Sequence, residues 1–367
     1  MMLRFAGLAT VLTLSSAVED VSDDFYAESE RAGRGVSNAT MQGVLLTAAA
    51  QKNGAVCLDG SPGMVYVRKG IGDGANKWYI HHQGGGWCES LDDCLSRSKG
   101  GLGSSKGYQA TSAQNSGYFS TSPVENPMMY NWNSVFMPYC DGGSFSGNND
   151  TVQPYQGATL HWRGKRIREA VYEELITNHG LKSATDVVIS GCSAGGLATF
   201  LHTDQWCDAL AADAKGVKCV GMPDSGFFLD YQADDVPETP PSPPEAISDS
   251  FTSRRVLNTI PGDYHAGLKW CFETFNATAG VNPACIEAHH TGGPATDDPD
   301  WLCMFAEHSA AFTHTPIFPL QSEVRCCGCS IGTKLPVHTI LVSAVLSFLR
   351  ARHLRVAVRR VADGPRA

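Results

Sequence analysis

From about Val56 the chain alternates short apolar runs, bounded by glycine, with longer stretches in which apolar residues recur every three to four positions. A parallel sheet with helices on its faces leaves that cadence in a sequence, and no internal repeat interrupts it. Lys77-Trp78-Tyr79-Ile80-His81-His82 reads as a strand running into the loop Gln83-Gly84-Gly85-Gly86-Trp87-Cys88. Ser134 to Tyr139 reads as a second, running into Cys140-Asp141-Gly142-Gly143-Ser144-Phe145. Between Arg166 and Thr177, Ile167, Ala170, Val171, Leu175 and Ile176 share one helical face, which predicts an amphipathic crossover helix. Asp186 to Ser190 predicts a short buried strand, and Ala198 to Ala212 the helix after it. Asp234 to Pro244, rich in Pro, Asp and Glu, predicts an exposed loop leading into a helical insertion that carries Trp270 and Cys271. Pro294 to Asp300 is a second such loop, and neither is long enough to link two domains.

The first residues break this pattern. Met1-Met2-Leu3-Arg4 is followed by an apolar run from Phe5 to Leu14, then Ser15-Ser16-Ala17 before Glu19 and Asp20. A charged start, a short apolar centre and a small-residue cleavage site predict a signal peptide over residues 1–17, and so a secreted protein, extracellular or in the cell wall. A buried first helix is the alternative, and the run is too short to span a bilayer.

Composition narrows the function classes. With 43% hydrophobic and 18% charged residues the chain is expected to fold, and its 367 residues suffice for one large domain. A formal charge of -9, from 28 basic and 37 acidic residues, excludes a generic nucleic-acid binder. Thirteen cysteines in an exported chain predict disulfides, and no paired Cys-x-x-Cys hooks with histidines appear, so no metal is expected. Asn38-Ala39-Thr40, Asn149-Asp150-Thr151 and Asn276-Ala277-Thr278 are glycosylation sequons.

The candidate chemistry sits at Gly191-Cys192-Ser193-Ala194-Gly195. A buried strand, Gly-x-Ser-x-Gly and then a helix is the context of a nucleophile elbow, in which flanking glycines let strand and helix pass closely while the serine is exposed on a strained turn. Ser193 is the predicted nucleophile. Acyl transfer also needs donors for the oxyanion, which the amides of a glycine-rich loop supply without side-chain obstruction. Gly84-Gly85-Gly86 ends an upstream strand, where folds of this type place half of that hole, and the Ala194 amide is the expected other half.

Further blocks follow in order: Trp132-Asn133-Ser134-Val135, Tyr139-Cys140-Asp141-Gly142, Ser144-Phe145-Ser146-Gly147, Arg163-Gly164-Lys165-Arg166-Ile167 and Asp224-Ser225-Gly226-Phe227-Phe228-Leu229-Asp230. With Trp78 to Cys88 and Gly191 to Gly196 they resemble the pectin acetylesterase/Notum family, from about Met41 to Glu323. The resemblance implies an α/β-hydrolase-like fold, a mostly parallel sheet with helices on both faces and a helical insertion, over residues 18–323. It implies a secreted serine ester hydrolase with a Ser-Asp-His triad, no cofactor, and oxyanion donors at Gly85, Gly86 and Ala194. The expected partner is an acyl ester, an acetylated pectin or related cell-wall polysaccharide, with no nucleic acid and no stable membrane span. A Notum-like lipid deacylase and an inactive relative that binds glycan or lipid are the alternatives.

Two departures from the family stand out. Gln83 occupies a position where the family usually has an acidic residue. After Thr315-Pro316-Ile317-Phe318-Pro319-Leu320-Gln321-Ser322-Glu323, Val324-Arg325 stands where a Tyr-Asp pair is expected, and no family-like histidine segment follows. His338 and His353, in a divergent basic tail over residues 324–367, are the only histidines beyond that point, so the triad Asp and His stay unassigned. Val-Arg can be encoded by a codon pair beginning GTAAG, and translation through an unspliced intron would produce this abrupt loss of pattern. Sequencing the transcript across that junction tests the idea.

Overall fold

The computed structural model describes residues 40–230, 264–291 and 299–321. The predicted signal peptide, the loop from Asp234 to Pro244, most of the second loop and the basic tail with His338 and His353 lie outside them. A seven-stranded sheet runs in the order β4-β1-β2-β5-β3-β8-β9. Its members are β1 (Met41–Leu45), β2 (Met64–Arg68), β3 (Lys77–His82), β4 (Thr111–Ser112), β5 (Asn133–Met137), β8 (Asp186–Cys192) and β9 (Lys218–Asp224), while β6 (Gln153–Tyr155) and β7 (Ala158–Leu160) pair apart as a hairpin. β5, β3, β8 and β9 are parallel to one another; β2 joins β5 antiparallel, and β1 joins β2 and β4 the same way. Beyond β9 the segment Pro316 to Leu320 continues the parallel side through bridges at Ile317 and Leu320.

The period of two along β3 assigns each side chain to a layer. Trp78 and Ile80 enter the larger core with Val65, Val67, Val135, Met137, Val187 and Ile189. Tyr79 enters a second cluster with Met41, Met64, Tyr66, Phe119 and Met129. Against the first layer pack helix α3 (Gly164–Glu174), the expected crossover, and helix α4 (Ala194–Asp213); Ile167, Ala170, Val171 and Leu175 are buried as their spacing predicts. Burial of Ile167, Val171 and Leu175 contributes about 1.5–3 kcal/mol of transfer free energy each. The remaining α-helices among the described residues are α1 (Thr47–Asn53), α2 (Leu91–Arg97), α5 (Tyr264–Phe275), α6 (Pro283–Thr291) and the short α7 (Ala306–Ser309), and α5 is the predicted helix bearing Trp270 and Cys271. No helix among the described residues is long and apolar enough to cross a membrane.

Disulfides join Cys57–Cys140, Cys88–Cys94, Cys207–Cys219 and Cys285–Cys303, and Cys192 is disulfide-bonded as well. Cys271 is free and buried, with its Sγ 3.1 Å from the Cys88 carbonyl oxygen. His289 lies within 4.8 Å of Cys285 and Cys303, but a disulfide leaves neither sulfur as a thiolate ligand. At the sequons, Asn149 donates its amide to the Thr274 carbonyl at 2.7 Å, whereas Asn276 is exposed.

Candidate active site

β8 does not stop at Ser190, as its apolar run suggested, but continues to Cys192, and α4 begins at Ala194, four residues before the predicted start. Ser193 alone makes the reversal, at φ 59° and ψ -123°, a backbone conformation that non-glycine residues rarely hold. Its N–H donates to the Asp224 carbonyl at the end of β9 (3.0 Å), and its own carbonyl accepts from Leu197 (2.9 Å), so the turn is fixed from both sides.

Glycine is required on each side of it. A Cβ on Gly191 would lie 2.2 Å from the Gly195 oxygen, and one on Gly195 only 2.1 Å from the oxygen of His82. Backbone meets backbone at both contacts, so no rotamer change relieves them. The same holds one strand away: a Cβ on Gly84 would fall 2.1 Å from the Cys192 oxygen. The ends of β3 and β8 and the start of α4 are therefore pressed together, which brings the glycine loop beside Ser193.

Within that loop Gly85 and Gly86 have φ of 154° and 69°, and among the described residues neither amide donates to a protein acceptor. The Ala194 amide is the first of α4, without an intrahelical partner. Several side chains hold the loop instead by its carbonyls. Arg97 Nη1 donates to the Gly85 oxygen and the Tyr139 hydroxyl to the Gly86 oxygen, both at 2.7 Å. Ser144 ties the two halves together: its Oγ donates to the Ala194 oxygen at 2.8 Å and accepts from Trp87 Nε1 at 2.7 Å, while its N–H donates to Tyr139 Oη at 3.0 Å. Gln83 Oε1 accepts the Tyr139 amide at 2.9 Å, the contact a carboxylate at that position would also make, so the departure from the family pattern keeps the loop anchored.

Three histidines lie in the interior near the elbow. His81, His82 and His202 are buried, and burial pulls the first to a pKa of about 4, the second to about 3 and the third well below its ordinary value. The charge of Arg168 works in the same direction on His82 and His202. His82 Nδ1 donates to the Ser190 carbonyl at 2.9 Å and His202 Nε2 to that of Ser144 at 2.7 Å, which fixes both tautomers. An imidazole that cannot hold a proton in place is no base for a serine hydroxyl. His161 lies against Gly60, and His314 is an exposed partner of Asp208 at 2.9 Å. His265 pairs with Asp230 (Nδ1 to Oδ1, 2.8 Å), a contact the sequence does not announce, and its imidazole stands edge-on to Trp301. Among the described residues no side chain hydrogen-bonds Ser193 Oγ.

Trp87, Phe228 and Tyr264 form an aromatic wall beside the loop, with centroids 4.8 to 5.9 Å apart. A separate cleft of about 580 Å³, lined by Leu45, Asp59, Ser61, Lys106 and Tyr108 among others, includes no residue of the elbow or the glycine loop. Sequence offered one sign of the bracing residues: Ser90 followed by Asp93 and then Arg97 spells a capped helix with an i,i+4 ion pair.

Comparison with known proteins places these features. The family profile described as pectinacetylesterase matches residues 36–325. Pectin acetylesterase 5 of Arabidopsis thaliana is 32% identical over 307 residues, 80% of this chain and 69% of that protein. Pectin acetylesterase 11 of the same plant is 42% identical over 176 residues, 48% of this chain and 43% of that protein. The palmitoleoyl-protein carboxylesterase NOTUM of Homo sapiens is 32% identical over 177 residues, 47% of this chain and 34% of that protein. Among solved structures, the Wnt deacylase Notum from Drosophila superposes with a TM-score of 0.61 at 24% identity, covering 77% of this chain and 71% of that one, a likeness of fold.

Proposed function

Because this chain belongs to the pectinacetylesterase family, whose relatives are carboxylic-ester hydrolases, we propose that it is a secreted serine esterase that removes acetyl groups from pectin or a related cell-wall polysaccharide. Ser193 Oγ attacks the acetyl carbonyl carbon and gives its proton to a base. The amides of Gly85, Gly86 and Ala194 take the charge that gathers on the carbonyl oxygen. The sugar oxygen leaves with a proton, an acetyl-serine remains, and water splits it to acetate. The observation that carries this reading is the convergence of a strained serine, pressed in by Gly84, Gly191 and Gly195, with amides of Gly85 and Gly86 that donate to no protein acceptor among the described residues.

Burial and hydrogen bonds to backbone carbonyls speak against His82 and His202 as the base, and burial lowers the proton affinity of His81 as well. Lipid deacylation is the second reading, favoured by the aromatic wall of Trp87, Phe228 and Tyr264 and by relatives named palmitoleoyl-protein carboxylesterases. Hydrolysis of p-nitrophenyl acetate by the chain and by Ser193→Ala tests catalysis, and equal rates reject it. Acetylated pectin, acetylated xylan and a palmitoleoylated peptide assayed side by side then separate the two readings.

A further inference from the structure

We infer that Arg97 is a positioning residue for this hydrolysis: it orients the Gly85–Gly86 peptide and strengthens its N–H toward the charge that develops on the substrate carbonyl oxygen. The inference rests on the esterase reading above. Arg97 Nη1 donates to the Gly85 carbonyl oxygen at 2.7 Å. That oxygen and the Gly86 N–H are opposite ends of one planar peptide unit. A hydrogen bond from a cation to the oxygen draws electron density away from the nitrogen, so the N–H becomes the better donor, and the effect grows where the surroundings are poor in water.

Orientation matters as much as polarity here. Gly85 and Gly86, at φ 154° and 69°, occupy conformations that only glycine visits freely, and two adjacent glycines impose no direction on the peptide between them. The direction is imposed from outside. The guanidinium is itself held, with Nε 3.3 and 3.4 Å from the two carboxylate oxygens of Asp93, one helical turn earlier on α2. That helix is short but anchored: Ser90 Oγ accepts the Asp93 amide at 3.2 Å, and the Cys88–Cys94 disulfide ties its first turn to the end of the loop. Only 20% of the Arg97 side chain is accessible. The Gly86 carbonyl is held by the neutral hydroxyl of Tyr139, so the charge falls on the one peptide whose N–H is Gly86.

The test compares wild type with Arg97→Met, Arg97→Lys and Asp93→Asn on p-nitrophenyl acetate, with active sites counted by a fluorophosphonate that labels Ser193. Direct loss of an oxyanion donor costs ~10²–10³ in kcat, so loss of its support is expected to lower kcat per titrated site by roughly tenfold in Arg97→Met. KM stays unchanged. Fluorophosphonate labelling slows in parallel, because its anionic oxygen occupies the same place. Arg97→Lys recovers part of the loss, and Asp93→Asn, which loosens the guanidinium without removing it, shows a smaller one. A merely structural role reduces the number of titratable sites and leaves kcat per site alone, which overturns the inference. So does a loss confined to KM on polyanionic acetylated pectin, which would make Arg97 a contact for substrate carboxylates. A wild type that neither hydrolyses ester nor takes the label overturns the esterase reading and this inference with it, whereas a labelled wild type with unaltered Arg97→Met kinetics overturns the inference alone.

Discussion

At Ser193 the backbone conformation required for attack is one that costs stability. A non-glycine residue at φ 59° and ψ -123° stores on the order of 1–3 kcal/mol of strain. Glycine holds the same angles without that penalty. Ser193→Gly is therefore expected to abolish ester hydrolysis while melting higher than Ser193→Ala, by about 1 kcal/mol in unfolding free energy; equal denaturant midpoints for the two variants would contradict a strained elbow. The converse applies at Gly84, where a Cβ meets the Cys192 oxygen at 2.1 Å. Gly84→Ala is expected to lose activity and about 1–3 kcal/mol of stability, since neither backbone can yield without moving the other. Kinetics and a urea melt of the one variant check both effects.

Elements differed in how plainly they were written. The pattern predicts β3 over Lys77 to His82, where the strand lies, because Trp78, Tyr79 and Ile80 form an apolar run and a glycine run stops it. The start of α4 was missed by four residues, since Ala194, Gly195 and Gly196 carry no amphipathic signal and glycine disfavours helix. Those glycines serve packing against His82 and Asp224, a long-range demand that no local window contains. The antiparallel half of the sheet went unread for a related reason: β4 has two residues, and β1 is half exposed. Ser193, Gly85, Gly86 and Ala194 are legible as candidates because glycine spacing marks them, whereas Ser144 and Tyr139 act on carbonyls distant in sequence and leave no spacing to read, and Arg97 shows only as the last residue of a capped helix. One element-level device is open to test. Cys207–Cys219 fastens the later turns of α4, well along the helix from Ser193, to β9 across a 12-residue separation. Replacing both cysteines by alanine is expected to lower stability by about 3 kcal/mol and to leave kcat unchanged well below the melting temperature.

For the molecule as a whole, buried titratable groups set the response to acid. An unfolded histidine takes up a proton near pH 6.5, whereas His81 and His82 in the fold resist until about pH 4 and about pH 3, and burial holds His202 well below its ordinary value too. Between those limits the unfolded state binds more protons, so this stability is complete above pH 6.5 and is lost as the pH falls. Asp141 has the opposite sign. Burial raises its carboxyl to about 7, so the folded state keeps a proton that the unfolded state releases above its ordinary pKa near 3.8, and stability from this group falls as the pH rises through about 7. Three histidines outweigh one carboxyl, leaving an excess of roughly two protons on the unfolded chain near pH 5. Urea midpoints are therefore expected to fall from pH 6.5 to 4. A flat profile over that range would show the three imidazoles to be hydrated. His82→Asn or His202→Gln should flatten the slope.

The close crossing of β3, β8 and α4 also decides how this site answers to mutagenesis. The proposed donors at Gly85, Gly86 and Ala194 are main-chain groups, so side-chain truncation cannot remove them, and an alanine scan passes over Ala194 altogether. Substituting Gly84, Gly191 or Gly195 alters a wall made of backbone, and the result will look like a folding defect. Variation that adapts such a site to a new ester has to enter through residues that stand back from the reacting atoms, such as Trp87, Phe228 and Tyr264, while the crossing is inherited whole.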